Sequence, residues 1–470
     1  MAINKEIIEE SKRFVRANKG YKINRNAPNA LSYASPRVSS EFPDCSMPLS
    51  FDGYSHCSLG CAYCFALMQK TNNPSFANKL HAVNPKRMLD EIEGKVKHSK
   101  KYKHFYKKRF LLHWGGLADP FCNFEKANNI GYEIISGLAK NAYPTLFSFK
   151  GSAIFRPNFR KLFGKYAHQK NFAFQCSIIA PSDKNSREIE VGVQVTSQRI
   201  KALKMLSDMG YYTILRLRPF IIGITDNGLD DLLHKCLEAG IKAVSMEYLA
   251  LDWRATNNLA KRYKWIGELI GVKDTMKYFK DLSPKERGSY LRLNRLVKEE
   301  TVKKVYTFCA DNNLVFGCSD PDFKELCTSG SCCAMPDKYP ENKELQNWTK
   351  NQLTFHLKEA RKNFHLSGSK KQMKFQDVYK PKEDTFLTSK TFTQDFVAVT
   401  GKTASERQHS RLHDFTRDTW NNLRSPGNPR NYFNGKMMPL RTDENDNLVY
   451  LYKPSSYESR WLKEGIDLTR

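Results

Sequence analysis

Through the first half of the chain, short apolar runs alternate with longer segments whose apolar residues recur at helical spacing. The apolar runs are residues 47–51, 110–114, 145–150, 172–179, 212–218 and 243–248, each of strand length. Residues 134–140, 196–209 and 229–239, lying among them, have the periodicity of amphipathic helices. Strands alternating with helices at this spacing predict parallel βα units, about six of them between residues 46 and 250.

Past residue 250 the pattern changes. Residues 251–308 read as helical, and the stretch 261–304 is charged and amphipathic, with Trp265, Ile266, Leu269, Tyr278 and Phe279 facing inward. Residues 336–470 show weak periodicity. They retain Trp348, Phe355, Phe386, Phe392, Phe396, Trp420, Tyr432, Tyr450, Tyr452 and Trp461, too many aromatic residues for a disordered tail. A folded, basic, helical accessory region is expected there. Within it, residues 361–380 read as a loop or short helices able to contact phosphate. Residues 1–45 form a basic extension, so the chain of 470 residues divides into 1–45, a body at 46–335 and 336–470. No repeat of fixed period appears, and no apolar stretch is long enough for a membrane span. The first ten residues hold Lys5, Glu6, Glu9 and Glu10 instead of the apolar core of a secretory signal, which makes the cytoplasm the expected location.

Charge points to a partner. Lys and Arg total 76 against 49 Asp and Glu, a net charge of +27. Such an excess favours polyanions, because displaced counterions drive nonspecific binding to DNA or RNA. The run 95–109 carries Lys95, Lys97, Lys100, Lys101, Lys103, Lys107, Lys108 and Arg109, interleaved with His98, Tyr102, His104, Phe105 and Tyr106. A second acid-free run, 156–170, carries Arg156, Arg160, Lys161, Lys165 and Lys170. Basic residues mixed with aromatics track phosphates and stack bases; the alternative for each run is a solvated helix face.

The cysteines carry the chemistry. Twelve in a chain without a secretory signal suggest reduced thiols and metal sites over disulfide bridges. Cys57, Cys61 and Cys64 follow the spacing C-x3-C-x2-C, with Tyr63 just before the last. Three close thiolates wrap one face of a [4Fe–4S] cluster and leave its fourth iron free to bind a small molecule, unlike the four-cysteine clusters that carry electrons. The other reading of the same ligands is a zinc site completed by His56 or by a distant residue.

The cysteine spacing resembles the radical S-adenosylmethionine (SAM) superfamily. The order of cysteine loop, strand ending at Asp119-Pro120, and later helix with Arg199-Ile200-Lys201 resembles its spore photoproduct lyase-like branch, often labelled DNA repair photolyases, over residues 46–335. That resemblance implies an α/β fold with a partial (β/α)6 barrel, its site at the carboxyl ends of the strands. It implies SAM chelated to the open iron and cleaved, after electron transfer from a donor such as a flavodoxin or ferredoxin, to methionine and a 5′-deoxyadenosyl radical. It puts Tyr63 near the adenine and Gly115 and Gly116 where backbone approaches the methionine amino group. Ser177 falls toward the ribose, and Arg199 or Arg216 at the carboxylate. Where that branch has a hydrogen-donating cysteine this chain has Gly116, with Cys122 nearby as a substitute donor or an ordinary buried thiol.

A second group, Cys318, Cys327, Cys332 and Cys333, lies in a loop rich in Gly, Ser and Asp and suits zinc or a second iron–sulfur cluster, with three ligands rather than four because Cys332 and Cys333 are adjacent. Cys309, close by, sits on a helical pattern and reads as core. The expected function is hydrogen abstraction from a nucleic acid or nucleotide, for repair or modification. The competing readings are a nucleic-acid-binding protein with structural metals and a radical SAM enzyme acting on a peptide or protein.

Overall fold

The computed structural model describes residues 5–33, 36–38, 47, 49–64, 66, 80–96, 106–107, 109–252, 257–282, 290–336, 353–367, 372–379, 417, 420–424, 428–433 and 435–470. Its centre is a sheet built from β1 (Arg37–Val38), β2 (Leu49–Phe51), β3 (Leu112–Trp114), β4 (Thr145–Phe149), β5 (Phe172–Ser177), β6 (Tyr212–Phe220) and β7 (Ala243–Tyr248). Two more strands, β8 (Ala250–Asp252) and β9 (Tyr290–Arg292), form a separate antiparallel pair, and β10 (Val315–Cys318) returns to the main sheet. The order is β1-β2-β3-β4-β5-β6-β7-β10, with β1 antiparallel to β2 and every later neighbour parallel.

That order dictates the shape. Parallel crossovers are almost always right-handed, so strands added steadily in one direction receive all their helices on one face. The sheet then curls about its other face. Among the described residues β10 pairs only with β7, so the barrel stays open.

Strand alternation sorts the side chains. Phe51, Trp114, Phe147, Phe149 and Phe174 face the helices and one another, with Phe163 from the helix Pro157–Tyr166 edge-on to Phe174 at 5.1 Å. The opposite parity places polar residues on the inner face. His113 Nε2 lies 2.6 Å from Ser148 Oγ and 3.2 Å from Gln175 Nε2, joining β3, β4 and β5.

The six strands and three helices read from periodicity are present. The seventh parallel strand, β10, was not among them: its four residues Val-Phe-Gly-Cys are too short for a period and lie inside the cysteine-rich segment. Trp265, Ile266, Leu269 and Phe279 are buried as expected. The basic extension packs on the body through the helix Lys5–Asn18, whose Glu10 lies 3.8 Å from Arg262.

The C-terminal region is not helical throughout. Its described part includes an antiparallel sheet of β11 (Gln372–Met373), β12 (Met437–Thr442) and β13 (Leu448–Tyr452), ordered β11-β13-β12. The helices Leu353–Ser367 and Ser456–Lys463 accompany it, the second opened by a capping box of Ser455 and Glu458. Trp420, Tyr432, Phe433, Tyr450 and Tyr452 fill its own core. Trp461 docks on the body, donating to Glu299 at 2.8 Å.

Candidate metal centre

The loop after β2 is pinned along its length. Buried Asp52 accepts from the Leu117 and Ala118 N–H groups at 2.8 and 2.7 Å, tying it to the loop after β3. The Tyr54 hydroxyl donates to Glu125 Oε2 at 2.6 Å, and Ser58 Oγ accepts from the Asn123 N–H at 2.9 Å. Gly60 takes φ +60°, and a β-carbon there would stand 2.7 Å from Val15 of the N-terminal helix. Arg262 Nη1 donates to the Ala62 carbonyl at 2.7 Å. These contacts hold the stretch bearing Cys57, Cys61 and Cys64 at the carboxyl end of the first parallel strand.

Cys61 is buried, and Cys57 and Cys64 are half-buried. Lys150, the residue after β4, brings its ammonium 4.0 Å from Cys61 Sγ and 3.2 Å from Glu190 Oε1, and lies over the Tyr63 ring. Tyr63 donates its hydroxyl proton to Glu190, and Arg199 closes the network on the other carboxylate oxygen. Asp119 fixes the start of this segment, accepting from the Phe121 N–H at 2.7 Å and the Gly151 N–H at 3.1 Å.

Burial dominates the electrostatics. It pushes the Cys61 thiol up to about 12, although Lys150 pulls the other way. Burial also works against charge on Glu190, but Arg199 and Lys150 outweigh it and hold the carboxyl below its ordinary value. Asp119 rises to about 6 because burial outweighs its backbone donors.

Among the described residues no three His, Cys, Asp or Glu side chains converge on one metal position. Lys150 supplies the positive charge that a set of thiolates needs in a buried setting. His56, one of the residues that could complete a zinc site in the alternative reading, packs edge-on against Phe124 at 5.2 Å.

Gly115 takes φ +110°, and a β-carbon there would lie 2.2 Å from the Ser148 carbonyl oxygen, so this glycine lets two strands approach. Gly116 has Ser50 Oγ at 3.0 Å from the same virtual position. Arg199 is fully buried and spends its guanidinium on Glu190, on the Ser177 carbonyl at 2.7 Å and on Ser186 Oγ at 2.8 Å. Ser177 is buried at the end of β5, in register with Arg216 on β6. Cys122 is fully buried close to Cys57.

The second cysteine group is divided. Gly317 faces inward, where a β-carbon would meet Ala334 N at 2.6 Å and the Cys332 carbonyl oxygen at 2.8 Å. Cys318, one residue on, therefore faces the helix side. Its thiol neighbour Cys327 accepts from the Cys318 N–H at 3.2 Å, while Cys333 lies 3.8 Å from Arg218 Nη1. The four thiols do not converge.

The basic runs are partly engaged. Lys95 pairs with Glu93, so it has a counter-ion, and Arg109 donates to the Asn141 carbonyl at 3.2 Å. Lys97, Lys100, Lys101, Lys103 and Lys108 lie outside the described residues. In the second run, Arg156 donates to the Glu125 carbonyl at 2.9 Å and Lys170 to the Gly210 carbonyl at 2.7 Å, whereas Arg160, Lys161 and Lys165 are exposed. Arg361 is buried and donates to the Glu325 carbonyl. No described helix is long and apolar enough to cross a membrane.

Lys150 and Glu190 escaped the sequence reading, and Asp119 entered it only as part of the Asp119-Pro120 strand ending. Lys150 had a usable signal, as the residue that ends a barrel strand; Glu190 sits after a short helix and carried none.

No family model and no curated protein matches the chain. Among solved structures it is similar to a spore photoproduct lyase variant at 12% identity and a TM-score of 0.43, over 67% of this chain and 94% of that one. A spore photoproduct lyase variant with bound AdoMet and dinucleoside spore photoproduct matches at 13% identity and a TM-score of 0.40, over 66% of this chain and 91% of that one. Streptococcus suis SuiB bound to S-adenosylmethionine matches at 14% identity and a TM-score of 0.36, over 64% of this chain and 55% of that one.

Proposed function

We propose that the chain is a radical SAM enzyme that abstracts a hydrogen atom from a nucleic acid or a nucleotide. The observation that carries this reading is the position of Cys57, Cys61 and Cys64, in a braced loop at the carboxyl end of the first strand of an open parallel barrel, with the Lys150 ammonium 4.0 Å from Cys61 Sγ. The chemistry that a [4Fe–4S] cluster with one open iron supplies, when bound, is one-electron cleavage of SAM.

The chain's own residues set the conditions for it. Cys57, Cys61 and Cys64 would hold the cluster. Lys150 offsets thiolate charge, and Glu190 with Tyr63 fixes where that ammonium points. Asp119 fixes the backbone that carries Lys150. Tyr63, Gly116 and Ser177 remain the residues of this site for the cofactor's adenosine and methionine parts. The reductant would be a flavodoxin or ferredoxin. A net charge of +27 supports a phosphate-bearing substrate. The test is anaerobic incubation of the reconstituted protein with SAM and deuterated DNA or RNA. Deuterium in 5′-deoxyadenosine or in recovered SAM is expected from one of them, and its absence from both would point to a peptide or protein substrate.

A further inference from the structure

The inner face of the barrel carries a charge that the cysteine loop does not use. Arg216 and Arg218 stand two residues apart on β6 and so share a face. Arg218 pairs with Glu247 on β7, and Arg292 donates to the other oxygen of Glu247 at 2.8 Å. Arg292 also lies 3.8 Å from Asp320, which Lys298 holds at 2.9 Å, and Lys298 meets Asp322 at 2.9 Å. Arg218, Arg292 and Lys298 thus match Glu247, Asp320 and Asp322, and Arg216 is left over.

Arg216 has no ion-pair partner among the described residues, and its buried Nε meets no hydrogen-bond partner. The groups around it bring no further negative charge. His113 is held neutral, its pKa lowered to about 3 by burial and by the charges of Arg216 and Arg218. Gln175 Oε1 is also buried without a partner. Arg216 is half-buried with its shielded Nε unpartnered, and an arriving oxyanion gives such a guanidinium a charge-assisted bond.

We propose that Arg216 binds a phosphate group of the substrate on the inner face of the barrel, with Arg218 beside it. This rests on the nucleotide reading above. The other source of a suitable oxyanion is the carboxylate of SAM. The cation at the cysteine loop, however, is Lys150 after β4, and Arg216 stands on β6, two strands farther along.

The test is calorimetric titration of the full chain with inorganic phosphate, a nucleoside 5′-monophosphate, the matching nucleoside and SAM, for the wild type, Arg216→Gln and Arg216→Lys. The wild type should bind the monophosphate more tightly than the nucleoside, and phosphate should raise its melting temperature. Arg216→Gln should weaken the monophosphate at least tenfold and leave the nucleoside unchanged, with Arg216→Lys in between. Weakened SAM with unchanged phosphate binding would overturn the proposal and give Arg216 to the cofactor. A wild type indifferent to phosphate would also overturn it. Phosphate binding through Arg216 without any SAM cleavage would uphold this inference while refuting the enzyme reading, so the two fail separately.

Discussion

The Lys150 ammonium lies 4.0 Å from Cys61 Sγ and 3.2 Å from Glu190 Oε1, so one buried cation serves both the cysteine loop and the carboxylate behind it. Replacing it by methionine removes the charge and keeps the volume. Lys150→Met should retain less iron per chain after anaerobic reconstitution than the wild type. Its stability loss in urea should stay below the roughly 3–5 kcal/mol that breaking a buried pair costs, because Arg199 still faces Glu190. Full iron retention would show that Lys150 has no part in holding the thiolates.

Gly115 and Gly116 separate a structural role from a cofactor role. A β-carbon at Gly115 would press on the Ser148 carbonyl at 2.2 Å in a left-handed backbone conformation. Gly115→Ala should therefore destabilise the fold by about 3 kcal/mol. Gly116→Ala meets only Ser50 Oγ at 3.0 Å and should cost much less. Urea unfolding of both variants decides it. If Gly115→Ala keeps its stability and loses only SAM affinity, the glycine serves the cofactor instead.

Glu125 predicts a pH dependence. Burial raises its carboxyl to about 7, against hydrogen bonds from Tyr54 and from the Tyr132 and Gly131 N–H groups. The folded state thus holds a proton that the unfolded state, at its ordinary 4.5, has released. Stability from this group is present below that ordinary value and falls as pH rises toward 7, by on the order of 3 kcal/mol in total. Glu125→Gln should flatten the slope of unfolding free energy between pH 5 and 7, whatever it costs in absolute stability. An unchanged slope would mean that Glu125 is ionised throughout.

How much of this was legible in the sequence follows from how each feature is encoded. The parallel strands β2 to β7 were readable because each is a continuous apolar run, as burial on both faces requires. The cysteine loop was readable because its three thiols lie within one local spacing. The network behind it was not. Lys150 is far in the chain from Glu190 and Arg199 and meets them only because β4 and β5 are neighbours and the helix Thr196–Asp208 packs behind them. In the second cysteine group Cys318 and Cys332 are close in sequence, but strand alternation sends Cys318 to the helix side. The C-terminal sheet was hidden by short, weakly periodic strands.

The most direct measurement is 5′-deoxyadenosine formation from SAM by the anaerobically reconstituted, dithionite-reduced protein. The account predicts a protein with broad visible iron–sulfur absorbance that forms 5′-deoxyadenosine. It also predicts that replacing Cys57, Cys61 or Cys64 by alanine abolishes the product, while Cys122→Ala and Cys327→Ala retain it. A wild type that binds zinc alone and never cleaves SAM under reducing conditions would contradict it.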